Sequence, residues 1–257
     1  MNFYKIILLS FSSIFFQSCS SQLTQNNNIS ISIPTIEQEA TSIWRTINDI
    51  EFFEKQGYKI NLPENDLIQS LIEKSKNGKF GSDDFSEIYN LLEVNIYKKD
   101  NYELALKKVS DQKKMINKLV NELYILQKKW NWEFKMFENY NIVFTLYGTG
   151  GSYDPDLGIV TLFTTSKGEF MNYDKPANTI IHEIIHMGIE KSIVQKYNLP
   201  HGLKERIADA MVFLLFGKSL PEYKIQNMGD KKIDQSLKKK TDINELDSII
   251  KKFMETK

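Results

Sequence analysis

The stretch Asn178-Thr-Ile-Ile-His-Glu-Ile-Ile-His-Met187 decides how this chain is read. Within it, His182, Glu183 and His186 form the pattern H-E-x-x-H. On an α-helix, residues four apart lie about 40° apart around the axis and about 6 Å apart along it. Both imidazoles therefore leave one face and can share a single metal ion. Zn²⁺ suits them, because it accepts imidazole nitrogen in a tetrahedral shell. Glu183 stands beside the first histidine, where its carboxylate reaches a metal-bound water rather than the metal. Ile180, Ile181, Ile184, Ile185 and Met187 surround the three with apolar side chains. That pattern predicts a buried helix, not a charged turn on the surface.

Two imidazoles leave a zinc shell incomplete, and a third donor stands downstream in His201-Gly-Leu-Lys-Glu-Arg-Ile-Ala-Asp209. Glu205 follows His186 by nineteen residues, and Asp209 comes one turn later, giving E-x-x-x-D. A turn containing Asn198-Leu-Pro200 and Gly202 separates the two helical patterns and lets the second helix fold back beside the first. All three histidines of the chain, His182, His186 and His201, fall in this region.

In this arrangement the chain resembles the gluzincin, or thermolysin-like, zinc metallopeptidases. Their pattern is H-E-x-x-H followed by a ligand Glu on a later helix, often within E-x-x-x-D. The resemblance implies that His182, His186 and Glu205 bind zinc and that Glu183 is the general base. It implies that Asp209 accepts a hydrogen bond from a ligand imidazole and holds it in its metal-binding tautomer. Such enzymes also carry a tyrosine donor near the position of Tyr197, eleven residues after His186. His201, four before Glu205 and so on its face of a helix, is the second candidate donor to the oxyanion. The resemblance covers about residues 158–214 and rests chiefly on five positions. The metzincin pattern fails, because Ser192 stands where its third histidine would be.

With 257 residues, 41% of them hydrophobic and 12% aromatic, the chain can bury a substantial core. Its 33 basic and 33 acidic side chains cancel, which removes the general electrostatic case for a nucleic-acid partner. Lys5 precedes an apolar run from Ile6 to Phe16 of signal-peptide length. The run ends at Gln17-Ser-Cys19-Ser-Ser, and Cys19 is the only cysteine. This resembles a bacterial lipoprotein signal, in which the cysteine is lipidated and becomes the mature N-terminus. The expected location is then the cell envelope, anchored to a membrane by lipid. An ordinary cleaved signal peptide, giving a secreted protein, is the alternative. The expected organisation is a signal segment over 1–18, a flexible Ser-, Asn- and Gln-rich tether over 19–33 and one domain over 34–257. No later run approaches the eighteen or more apolar residues that span a bilayer.

Helical periodicity covers 34–58, 67–76, with Asp66 as the expected cap, and 85–97. A long stripe follows over 100–140, through Leu106, Val109, Ile116, Leu119, Leu123, Leu126, Trp130, Phe134 and Phe137. Trp130 and Trp132 read as core, with a hydrophobic substrate groove as the alternative. At Asn141 the period changes, and 142–147 and 158–163 read as two strands of an antiparallel β-hairpin with a long loop. The Gly148-Thr-Gly-Gly151 run between them lacks the following helix and G-K-[ST] of a phosphate loop. By the family resemblance, 158–163 is the edge along which a peptide substrate pairs. Asn178 or Thr179 is the expected cap of the H-E-x-x-H helix. Residues after Pro221 read as a charged outer layer ending in a helix near 243–254.

The fold expected is α+β and mostly helical. It comprises an N-terminal helical region (34–140), a small antiparallel sheet with a zincin-type active-site helix pair (141–217) and a C-terminal helical tail (218–257). The function expected is zinc-dependent hydrolysis of peptide or amide bonds in a protein or peptide substrate by a membrane-tethered protein. A non-catalytic lipoprotein that binds a partner through the same scaffold is the alternative. Glu183 favours the enzyme, since a purely structural zinc site has no use for a carboxylate at that position.

Overall fold

A computed structural model describes residues 28–171 and 175–256. The signal segment, Cys19 and the tether as far as residue 27 lie outside the described residues. The rest is α+β and mostly helical, with eight α-helices and a four-stranded sheet among the described residues.

The strands are β1 (Asn28–Ser32), β2 (Asn139–Thr145), β3 (Ser152–Asp154) and β4 (Ile159–Phe163), in the spatial order β1-β2-β4-β3. β1 and β4 both lie parallel to β2, and β3 runs antiparallel to β4. Two expectations are corrected here. Residues 28–32 belong to the sheet rather than the tether: Ile29 and Ile31 alternate with serines, a period of two that the polar composition hides. The stretches 142–147 and 158–163 are parallel neighbours, not the arms of a hairpin. The thirteen residues 146–158 between β2 and β4 are long enough for a parallel crossover. The hairpin that does form is β3–β4. Its turn is closed by Asp154 Oδ1, which accepts the N–H groups of Asp156 and Leu157 at 2.9 Å. Gly158 there has φ 68°, which suits glycine.

An N-terminal helical layer packs at one side of the sheet. It consists of α1 (Ile36–Asn48), α2 (Ile50–Gln56), α3 (Asp66–Lys76) and α4 (Phe85–Leu91), with its own core of Ile43, Ile47, Ile68 and Ile88. Asn65, not Asp66, caps α3 by accepting from Leu67 N–H at 2.9 Å. The Asp-rich loop at 81–84 is capped by Asp84, whose Oδ2 accepts from Gly81 N–H at 2.8 Å. On the other side lie α5 (Glu103–Gln127), α6 (Pro176–Ile189) and α7 (His201–Phe216). Ile142, Phe144, Val160 and Leu162 of the sheet are buried in one cluster with the isoleucines of α6.

The long helical stripe stops at Gln127, and the chain turns. Trp130 and Trp132 stack with ring centres 5.0 Å apart, and the Trp132 indole donates to the Ile243 carbonyl at 2.7 Å. They are core, not a groove. The C-terminal region is also more than a charged layer. Leu220, Tyr223, Ile233, Leu237 and Ile243 are buried, as are Leu246 and Ile250 of α8 (Leu246–Glu255).

Candidate metal centre

α6 is the buried helix that its apolar residues predict: Ile180, Ile181, Ile184, Ile185 and Met187 are fully covered. Burying five such side chains stabilises the element by roughly 1.5–3 kcal/mol each, which is what allows polar groups to be held among them. Its start differs from expectation. Lys175 stands at the cap position and Pro176 in the first turn, where the fixed proline φ initiates a helix without a donor N–H. Asn178 is buried further on, and its side-chain amide has no partner among the described residues. One wide helical turn (Glu190–Gln195) and the left-handed Asn198 (φ 46°) then swing α7 back beside α6.

This packing brings His182, His186 and Glu205 together as a buried group able to hold a metal ion. The Nε2 atoms of the two histidines are 3.0 Å apart. They lie 3.3 and 3.2 Å from Glu205 Oε2. A tetrahedral shell with metal–ligand distances of about 2.0–2.1 Å has edges of about 3.3 Å, so the triangle fits three ligands of one small cation. The polypeptide by itself manages the same site with a proton. Burial opposes a charged His182, but the nearby Asp209 and Glu205 carboxylates outweigh it and push the imidazole up to about 10. Burial would raise Glu205, but the two imidazoles hold its carboxyl far below the usual carboxylate range. Burial, then the neighbouring His182, lowers His186 to about 4. A divalent cation held there would replace that single proton with more charge at the same point.

The two imidazoles are supported differently. His182 Nδ1 lies 2.6 Å from the Tyr223 hydroxyl, which donates to Asp209 Oδ1 at 2.6 Å. Asp209 itself is 3.4 Å from Nδ1. His186 Nδ1 has no partner among the described residues, and its ring lies flat against Tyr153 with centres 5.3 Å apart. The Tyr153 hydroxyl donates to Glu190 Oε2 at 2.7 Å. Glu205 Oε1 faces Lys204 Nζ at 3.6 Å and His201 Nδ1 at 3.7 Å.

Glu183 borders the same cavity, of about 570 Å³, and its carboxylate makes no hydrogen bond among the described residues. Burial pushes it up to about 7. Gly151 lies directly against it, and a Cβ there would overlap Glu183 Oε1. The opposite wall comes from the N-terminal layer: Arg45 of α1, Phe53 of α2 and Tyr58 just beyond. Tyr58 Oη and His201 Nε2 are hydrogen-bonded at 2.8 Å. Burial, then Glu205 and Glu183, pushes the Tyr58 hydroxyl up to about 12.

Of the residues picked from sequence, His182, Glu183, His186, His201 and Glu205 border this cavity, and Asp209 lies behind it. Tyr197 does not. Its hydroxyl donates to Asp247 at 2.9 Å, because the wide turn after α6 rotates it toward α8. The expected substrate edge, 158–163, is also corrected. β4 lies inside the sheet, and it is β3 that forms the sheet edge beside the cavity, through Ser152 and Tyr153. Tyr58, Tyr153 and Tyr223 were not legible as site residues, since each stands in a segment with no motif of its own. Comparisons with protein-family models, curated proteins and solved structures return no match.

Proposed function

We propose that the protein is a zinc-dependent peptidase or amidase of the gluzincin kind, tethered to a bacterial envelope membrane through a lipid on Cys19. One observation carries the reading. Three donor atoms converge on a single point, and the Glu183 carboxylate, with no hydrogen bond among the described residues, borders the same cavity. Two imidazoles and a carboxylate leave a coordination position for water, which is the donor set of zinc hydrolases. When bound, zinc lowers the pKa of such a water from about 15.7 toward about 7 and polarises a carbonyl.

The chain's own residues then divide the work. Glu183, with its carboxyl near 7, accepts the proton of the attacking water and delivers it to the leaving nitrogen. His201 and Tyr58 face the cavity, and with His201 Nε2 donating to the phenol oxygen the Tyr58 hydroxyl donates its own proton to the developing oxyanion. A peptide in extended form adds to the outer edge of β3, with Gly150 and Gly151 allowing close backbone approach.

Glu183→Gln tests the assignment against a broad peptide library. The expected result is zinc retained and cleavage abolished. If wild type and variant both bind zinc and neither cleaves, the partner-binding scaffold replaces the enzyme.

A further inference from the structure

We infer that Tyr223 is a positioning residue for the metal centre, the middle member of a buried Asp209–Tyr223–His182 chain. The inference rests on the reading of His182, His186 and Glu205 as metal ligands.

The proton count carries it. The Tyr223 hydroxyl has one proton and, among the described residues, lies 2.6 Å from both Asp209 Oδ1 and His182 Nδ1. The other Asp209 oxygen, Oδ2, already accepts the Gln226 N–H at 2.7 Å. The carboxylate therefore acts as acceptor on both sides, and the phenol proton goes to it. The phenol oxygen is left to accept, so His182 Nδ1 must carry hydrogen and donate. That assignment keeps the Nε2 lone pair aimed at the point shared with His186 and Glu205. A direct bond from Nδ1 to Asp209 spans 3.4 Å, beyond good hydrogen-bond length. The phenol is the bridge that makes the carboxylate effective.

The bridge is held rigidly. The segment after α7 is buried at Leu220 and Tyr223. Gln226 is fixed twice, its N–H by Asp209 and its carbonyl by Arg206 Nη1 at 3.0 Å. Arg206 is in turn paired with Asp234 through Nε at 2.8 Å. Asp209 and Arg206 both project from α7, the helix that supplies Glu205. One element thus carries a ligand and the clamp for the residue that orients another ligand. His186 has no such device, as its Nδ1 is unpartnered among the described residues. The orientation of the pair falls on His182, and through it on Tyr223.

Tyr223→Phe in the full-length chain, purified in detergent, keeps the ring and removes only the bridge. Zinc affinity, measured by chelator competition at neutral pH, is expected to weaken about 10–100-fold. The melting temperature of the metal-free variant should stay close to that of wild type. In zinc-loaded wild type, the His182 Nδ1 proton should exchange slowly with water and show a nuclear Overhauser effect to the Tyr223 ring. In the variant it should exchange quickly. Equal zinc affinity of the two proteins overturns the positioning role and leaves the metal centre standing. A wild type that binds no zinc sinks the metal reading, and this inference with it. If the variant does not fold, the wild-type proton decides: rapid exchange, or no effect to Tyr223, overturns the proposal.

Discussion

Glu205 is the residue on which the centre closes, because its Oε2 touches both imidazoles. Glu205→Ala should weaken zinc binding by more than the roughly hundredfold that a supporting residue reaches. Metal analysis after dialysis against a buffered zinc supply checks this, and normal zinc content would place the third ligand elsewhere. Gly151 makes a different demand. A Cβ there meets Glu183 Oε1 and lies 2.7 Å from the Thr179 methyl. Gly151→Ala should therefore keep zinc and displace the base, lowering kcat by as much as the 10²–10⁴-fold a positioned general base contributes. Unchanged kcat on any peptide that wild type cleaves would show that Glu183 tolerates the crowding. His182, Glu183 and His186 were legible as one group because helical spacing alone sets their relation, and Glu205 and Asp209 were legible through their own E-x-x-x-D spacing. Tyr223 and Tyr58 were not, since only the tertiary fold brings them to His182 and His201.

At the scale of elements, α6 and α7 were legible for the same local reason, whereas the strands were half legible. β-Branched and aromatic content identifies a strand at 142–147 and the sequence another at 158–163, but this carries no information on direction, and the parallel pairing followed only from where β3 sits. Direction matters for the site. Because β4 is enclosed by β2 and β3, the edge available to an extended peptide passes to β3. The packing of α6 also depends on Gly188, where a Cβ would overlap the Phe134 ring beyond the end of α5. Lys135 N–H bonds the Gly188 carbonyl at 3.0 Å, so this segment cannot easily retreat. Gly188→Ala should destabilise the protein by about 1–3 kcal/mol, the range for overpacking a filled core. Denaturant unfolding measures it. Adding Phe134→Leu should recover part of the loss, and a double variant no more stable than Gly188→Ala would mean that the ring is not the obstacle.

The whole molecule joins two cores, and the function of its N-terminal layer was not legible because nothing in 34–140 resembles a catalytic motif. The structure makes that layer the far wall of the cavity through Arg45, Phe53 and Tyr58. One link that holds it against the sheet is Glu39 of α1, a fully buried carboxyl. Oε1 accepts the Leu146 N–H at 2.9 Å and the Tyr102 hydroxyl, and Oε2 accepts the Thr145 hydroxyl at 2.5 Å. Burial raises the Glu39 carboxyl above its ordinary value, and the bonds from Thr145, Tyr102 and Leu146 pull it down without fully offsetting that rise. The folded state therefore binds the proton to higher pH than the unfolded chain does. Stability from this group is fully present below the unfolded pKa and is lost as pH rises through the folded one. Glu39→Gln has the same shape and does not titrate. The unfolding free energy of wild type minus that of the variant should accordingly fall as pH is raised from about 4 toward neutrality. Urea titrations of both proteins across that interval decide it, and a difference that stays level or grows with pH would show that the three hydrogen bonds outweigh burial.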